Sequence, residues 1–314
     1  MRYSDVFYKK SSRILLGTAY FGDGISEKDA FEIMDKYVDM GGTHIDTARL
    51  YADGKSEEIV GKWVRDRGTY DIQISTKGGF PNHDTPDVPR LSEKEIRHDV
   101  EKSLKATRFD VIDFYWLHQD DETIPAGEIV ELMNALIKEG KIRGFGVSNW
   151  TTKRVEEARR YAEEHLLEGV KASQMRFNPA IMNSEGEISR LVGMDRESFE
   201  YYKEKNIPVV AYSSQAKGFF SKMSEKGEDA LSEKAKKRYL NDKNLKTLEC
   251  LEKLSKEYSC SIASLICGAF CSFSEPEVFP LIGGRTVSQI EDSMNGKDVI
   301  LSKGELLEIF RFIF

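Results

Sequence analysis

A chain of 314 residues, 40% hydrophobic and 32% charged, is long enough to bury one large core or two smaller ones. Its 46 basic and 53 acidic residues give a formal net charge of -7 and form no basic block, which argues against nucleic-acid binding. No apolar run approaches the roughly 18 residues of a membrane span and no leader pattern opens the chain, so the expectation is a cytoplasmic protein with no membrane partner.

Short β-type runs alternate with helical patterns from end to end. In chain order they are ILLG from Ile14, THID from Thr43, IQIST from Ile72, VIDFYWLH from Val111, IRGFGVS from Ile142, VKASQ from Val170, PVVAYS from Pro208 and FPLIG from Phe279. Between them, Ser92 with Glu95 and Thr286 with Gln289 have the spacing of reciprocal helix caps. Ile59 with Trp63, and Ile96 with Val100 and Leu104, recur on single helical faces. Residues 214–243, rich in Lys, Glu and Gly, read as an insertion or mobile loop after the seventh strand. Helices are expected from Asn244 to Tyr258 and from Ser261 to Phe273. Cys250, Cys260, Cys267 and Cys271 lack paired metal-site spacing, so buried free thiols and no metal centre are expected. Eight strand and helix pairs without a linker predict one (β/α)8 barrel spanning 1–314.

The C-terminal strand ends of such a barrel, with the loops after them, build its site. Asp46 ends the second strand, Tyr51 follows in the loop, Lys77 closes the third strand and His118 the fourth. Singly, each has an ordinary explanation: a turn cap, a rim aromatic, a solvated amine, a core histidine. Their joint placement on three consecutive strand ends points to a site. An ammonium beside a phenol favours the phenolate, so Lys77, held charged by Asp46, is expected to lower the pKa of Tyr51 from about 10 and tune it for proton donation.

The stretches LGTAYFG from Leu16, HIDTARLY from His44, STKGG from Ser75, FYWLHQ from Phe114, GKIRGFGVSN from Gly140, SQMRFNP from Ser173, AYSSQAKGFF from Ala211 and LIGGRTVSQIEDS from Leu281 follow one another in an order that resembles the aldo-keto reductase family over nearly the whole chain. The resemblance implies hydride transfer from a reduced nicotinamide to a small-molecule carbonyl, with Tyr51 protonating the oxygen, Lys77 and Asp46 tuning it, and His118 orienting the substrate. It also implies NADP(H) as cofactor, with NAD(H) left open. Ser148, Asn149 and Gln174 would bind the nicotinamide carboxamide, and Tyr212 would stack on its ring. Gly17, Thr18 and Ala19 would floor the site. Ser213, Ser214, Gln215 and Gly218 would contact the pyrophosphate.

Gly283, Gly284 and Arg285, before the helix opening at Thr286, form a plausible anion site, and Arg285 is suited to bidentate pairing with a 2'-phosphate. Gln289 and Asp292 complete the expected cofactor set. The family often has Lys-Ser at Gly283 and Gly284, Glu-Asn at Asp292 and Ser293, and proline at Ser214, which leaves the adenine contacts and the strength of NADP preference open. GFGVSN superficially resembles a dinucleotide fingerprint, but Asn149 replaces its third glycine and no acidic ribose partner follows at the usual distance.

Tyr20, Phe80 and Trp150 are the expected pocket walls. Asp120, Asp121 and Glu122 read as a solvated loop or, if they face the mouth, as a bias against anionic substrates. The end of the chain at LLEIFRFIF resembles members without a long closing loop, which implies an open pocket for sugars or small aldehydes and ketones. Two alternatives remain: a cofactor-binding, redox-sensing channel subunit with slow turnover, and a barrel aldolase or isomerase using Lys77 as a Schiff base. The oligomeric state is not legible.

Overall fold

The computed structural model describes residues 1–183 and 191–314. Two short strands, β1 (Tyr3–Ser4) and β2 (Ser11–Ser12), form an antiparallel hairpin. The barrel strands follow as β3 (Leu15–Gly17), β4 (His44–Asp46), β5 (Gln73–Gly78), β6 (Phe114–Leu117), β7 (Phe145–Ser148), β8 (Ser173–Arg176), β9 (Val209–Tyr212) and β10 (Val278–Ile282). All eight are parallel, each pairs with its neighbour in sequence, and β10 closes on β3. The expected (β/α)8 barrel is therefore the fold, with each expected strand run overlapping an observed one. Strands buried on both faces read as continuous apolar runs, as in the fully buried FYWL of β6.

Helices cover the outside. Lys55–Arg67 buries Ile59 and Trp63, and Glu93–Thr107 buries Ile96 and Val100, the stripes their spacing requires. These two helices meet at Gly61, where a Cβ would stand 2.2 Å from the Thr107 carbonyl oxygen. Thr286 caps its helix by accepting from the Gln289 N–H, whereas the Ser92 hydroxyl donates to the Glu95 carboxylate and caps no backbone group. The late helices run Asp242–Glu257 and Ile262–Ser272. Of the four free cysteines, three are buried and Cys260 is half-buried. Among the described residues no helix is long and apolar enough to cross a membrane.

Two features differ from the sequence reading. Residues 214–243 hold two helices, Phe219–Lys226 and Glu233–Tyr239, whose Phe219, Phe220 and Tyr239 reach the main core. The polar composition had concealed these anchors, an adjacent pair and a single tyrosine 19 residues further on. The N-terminal hairpin sends Phe7 into the barrel from its N-terminal end. There it meets the rings of His44, Phe114 and Phe279 edge-on at 4.7–5.4 Å, within an interior cluster that also includes Leu15, Trp116 and Val210. Burying a phenyl group of this size contributes about 3 kcal/mol and closes that mouth of the barrel. The opposite mouth is left to polar groups.

Candidate active site

Alternation along a strand sends residues i and i+2 to the same face. On β5 this turns both Ser75 and Lys77 into the barrel, and β4 delivers His44 and Asp46 beside them in register. The Lys77 ammonium donates to Asp46 Oδ2, to the Thr47 carbonyl oxygen at 2.7 Å and to the Tyr51 hydroxyl at 3.3 Å. Both charged side chains are fully buried. The other Asp46 oxygen accepts from Ser75 Oγ at 2.7 Å, and Ser75 lies 3.0 Å from His44 Nε2. The Ser75 proton is spent on Asp46, so Ser75 can only accept from His44. That fixes the imidazole with its proton on Nε2 and leaves Nδ1 to accept from Ser11 Oγ at 2.9 Å. Burial holds His44 neutral, lowering its pKa to about 3. A one-directional chain of donors thus runs from the hairpin to Asp46, and such chains polarise one another.

Burial raises the Tyr51 phenol above its ordinary value and outweighs the opposing pull of Lys77. The expected lowering by the ammonium is present as an influence, but desolvation exceeds it. For Lys77 burial alone would depress the ammonium, yet Asp46 and Tyr51 together raise it. His118 lies with its ring 6.2 Å from that of Tyr51 and 4.7 Å from that of Phe80. Burial, then the Lys77 charge, pushes His118 well below 6.5, so it is a neutral imidazole. Its Nδ1 is buried with no partner among the described residues. Asp46, Tyr51, Lys77 and His118 are therefore brought together as the sequence suggested.

A second group faces them across the mouth. Asn149, at φ 59°, donates to the His118 carbonyl oxygen at 3.2 Å and to Ser148 Oγ at 3.1 Å, and accepts from the Tyr212 hydroxyl at 2.7 Å. Gln174 is buried, and among the described residues its Nε2 has no acceptor. Burial raises the Tyr212 phenol. Gly17 ends β3 beside Asp46, whose carbonyl oxygen accepts from the N–H of the following Thr18 at 3.1 Å, with Ala19 next in the loop. Ser213, at φ 52°, and Gly218, at φ 76°, shape the loop after β9. Ser214 Oγ donates to the Leu281 carbonyl oxygen and Gln215 Nε2 to Ser293 Oγ, tying that loop to β10 and its helix. Gly283 and Gly284 lead to Arg285, whose N–H donates to Gln289 Oε1 at 2.7 Å. Asp292 accepts from the Ser261 hydroxyl.

A cavity of about 590 Å³ opens beside the first group, lined by Lys77, His118 and Phe80 together with Arg49 and Arg90. Of the three expected walls, Phe80 lines it. Tyr20 is exposed under the Arg285 guanidinium, 4.7 Å from its ring centre. Trp150 is 1% exposed within the main core cluster, with Arg154 over its ring, so it offers the cavity no open face. Asp120 pairs with Arg154 at 3.1 Å, its carboxyl raised to about 6 by burial, and Asp121 accepts from the Thr123 hydroxyl. Neither acid lines the cavity, so the loop after β6 gives the site no acidic cast. Sequence reasoning missed Ser11, His44, Ser75 and Arg49; the alternation on β5 was the signal for Ser75.

The family model for the aldo/keto reductase family matches residues 13–310. A protein described as the uncharacterized oxidoreductase YrpG of Bacillus subtilis (strain 168) is 31% identical over 313 residues, covering 96% of this chain and 92% of its own. A probable voltage-gated potassium channel subunit beta of Oryza sativa subsp. japonica is 30% identical, covering 89% of this chain and 85% of its own. Among solved structures, an aldo/keto reductase from Klebsiella pneumoniae in complex with NADP and acetate superposes with a TM-score of 0.71 at 24% identity, covering 97% of this chain and 92% of that one.

Proposed function

This chain belongs to the aldo/keto reductase family, and from that premise we infer that it is an NADP(H)-dependent oxidoreductase that reduces an aldehyde, ketone or sugar carbonyl to an alcohol. The observation that carries the reading is the buried Asp46–Lys77–Tyr51 relay beside a neutral His118. The residues present fit a nicotinamide nucleotide. The orphaned Gln174 Nε2 suits a carboxamide oxygen, Ser148 and Asn149 stand beside it, and Tyr212 offers a ring face. Ser213, Ser214, Gln215 and Gly218 suit a pyrophosphate, and Arg285 near Gly283, Gly284, Gln289 and Asp292 offers a guanidinium to a 2'-phosphate.

The bound cofactor supplies the hydride. The chain's own groups manage the charge that develops on the carbonyl oxygen. Tyr51 holds its proton because burial raises its pKa, and an alkoxide is basic enough to take it. Lys77 remains an ammonium, 3.3 Å away, and stabilises the phenolate left behind. Asp46 keeps Lys77 in place and charged. Neutral His118 offers the substrate oxygen a hydrogen bond without competing as an acid. A raised, ion-paired Lys77 is a poor nucleophile, which disfavours the Schiff-base reading.

The rice relative, named as a channel subunit, favours a second reading of this site as a cofactor-binding redox sensor with slow turnover. Incubation with excess NADPH and 4-nitrobenzaldehyde separates the two. Steady oxidation through many equivalents is expected; oxidation of a single equivalent with cofactor retained would sink the enzyme reading.

A further inference from the structure

We propose that the carbonyl substrate of this chain carries a compact anionic group, a carboxylate or a phosphate, and that Arg49 binds it. The inference rests on the reductase reading above and concerns the same cavity. That cavity holds three cationic side chains, and two are already committed. Lys77 is spent on Asp46, and Arg90 is paired with Asp99 through both of its terminal nitrogens at 3.0–3.1 Å. Arg49 is half-buried and faces the same space, and among the described residues no hydrogen bond or ion pair engages its guanidinium. The remaining carboxylates of the lining, Asp53 and Asp84, stand on the exposed rim. Behind Arg49, Glu57 is fully buried and accepts from the Thr76 hydroxyl; burial pushes its carboxyl up against an opposing pull from Arg49, and among the described residues no ion pair joins the two.

The local backbone holds Arg49 in this position. Its N–H donates to the Lys77 carbonyl oxygen at 2.9 Å, fixing it one step from the relay. Its Nη1 lies against Gly54, where a Cβ would come within 2.2 Å, so the guanidinium occupies a slot that only glycine leaves open. The turn that makes the slot is strained. Ala52 and Asp53 both take left-handed conformations, φ 48° and 52°, before Gly54 at 92°. Each such non-glycine residue costs about 1–2 kcal/mol, and strain of this kind persists where the surroundings impose it, most often at sites. A half-desolvated guanidinium without a partner is unfavourable until an anion arrives, and its planar fork suits carboxylate and phosphate alike. Arg49 lines the same cavity as Lys77 and His118, so a substrate whose anionic group it holds extends into the space those two residues share.

Two matched pairs test the proposal with NADPH: 4-carboxybenzaldehyde against its methyl ester, and glyceraldehyde 3-phosphate against glyceraldehyde. In at least one pair the anion should be favoured tenfold or more in kcat/KM. Arg49→Gln should cut that ratio at least tenfold, and Arg49→Lys, a point charge without the fork, should leave it intermediate. Which pair responds separates carboxylate from phosphate. Ratios near one in both pairs, or a ratio that survives Arg49→Gln, would overturn the proposal. Should no aldehyde be turned over, the reductase reading fails by itself. The anion site is then judged by calorimetric titration of the NADPH-loaded protein with 4-carboxybenzyl alcohol and glycerol 3-phosphate: binding lost in Arg49→Gln upholds it, and binding that is absent or indifferent to Arg49 refutes it.

Discussion

Replacing Asp46 by Asn keeps the shape and one acceptor oxygen of the side chain but removes the charge opposite Lys77. Both side chains are fully buried, and among the described residues Lys77 has only the Thr47 carbonyl and the Tyr51 hydroxyl as further partners. Breaking one half of a buried pair leaves an uncompensated charge and costs about 3–5 kcal/mol, a large share of the roughly 5–15 kcal/mol that holds a domain folded. The sign with pH is equally specific. In the native protein the Lys77 pKa is raised above 10.5, so its contribution is fully present below that value and is lost only as pH climbs beyond it. In Asp46→Asn, burial, the largest influence on Lys77, is opposed by Tyr51 alone, and the pKa falls below the unfolded value. Stability of the variant should therefore rise as pH climbs toward the unfolded lysine value of about 10.4, while that of the native protein gains nothing from this group. Urea unfolding at several pH values measures both effects, and Asp46→Asn with Lys77→Met should recover most of the loss because no charge is left stranded. A single-variant loss below about 1 kcal/mol, or a double variant as unstable as the sum of the singles, would refute the reasoning.

Tyr51→Phe should lower carbonyl reduction by a factor of at least about 100, within the span of proton-transfer catalysis, and leave NADPH affinity nearly intact; retention of more than about a tenth of the rate removes Tyr51 as the acid. Arg285→Ala should weaken NADPH roughly tenfold more than NADH, read by fluorescence titration, and equal losses would deny it the 2'-phosphate. His118 is held well below 6.5, so kcat/KM should show no fall attributable to its protonation as pH drops through 6.5; an inflection there that disappears in His118→Gln would count against the neutral imidazole.

The barrel was legible because its strands, buried on both faces, interrupt helical periodicity eight times. The four catalytic candidates were legible because a polar residue ending an apolar run is conspicuous. Ser75 and His44 stand two residues before Lys77 and Asp46, so alternation assigns them the same face, but nothing in a short strand shows that they hydrogen-bond one another until the sheet closes. The raised Tyr51 pKa was hidden for a similar reason: the neighbouring ammonium can be inferred from sequence, whereas the amount of water excluded cannot. Strands of two residues, Tyr3–Ser4 and Ser11–Ser12, are too short to carry a period, and the hairpin they form emerges from packing around Phe7. Arg49 reads as an ordinary loop cation until Gly54 and the left-handed turn show where its guanidinium lies.

The hydrogen-bonded column from Ser11 through His44 and Ser75 to Asp46 has a consequence for engineering. The smallest portable unit of this site is larger than its reacting groups. Grafting Asp46, Tyr51 and Lys77 onto the strand ends of another barrel would transfer the parts without the axial support that dictates how Asp46 presents its two oxygens. A transplant should carry the serines and His44 as well, and with them the N-terminal hairpin that supplies Ser11.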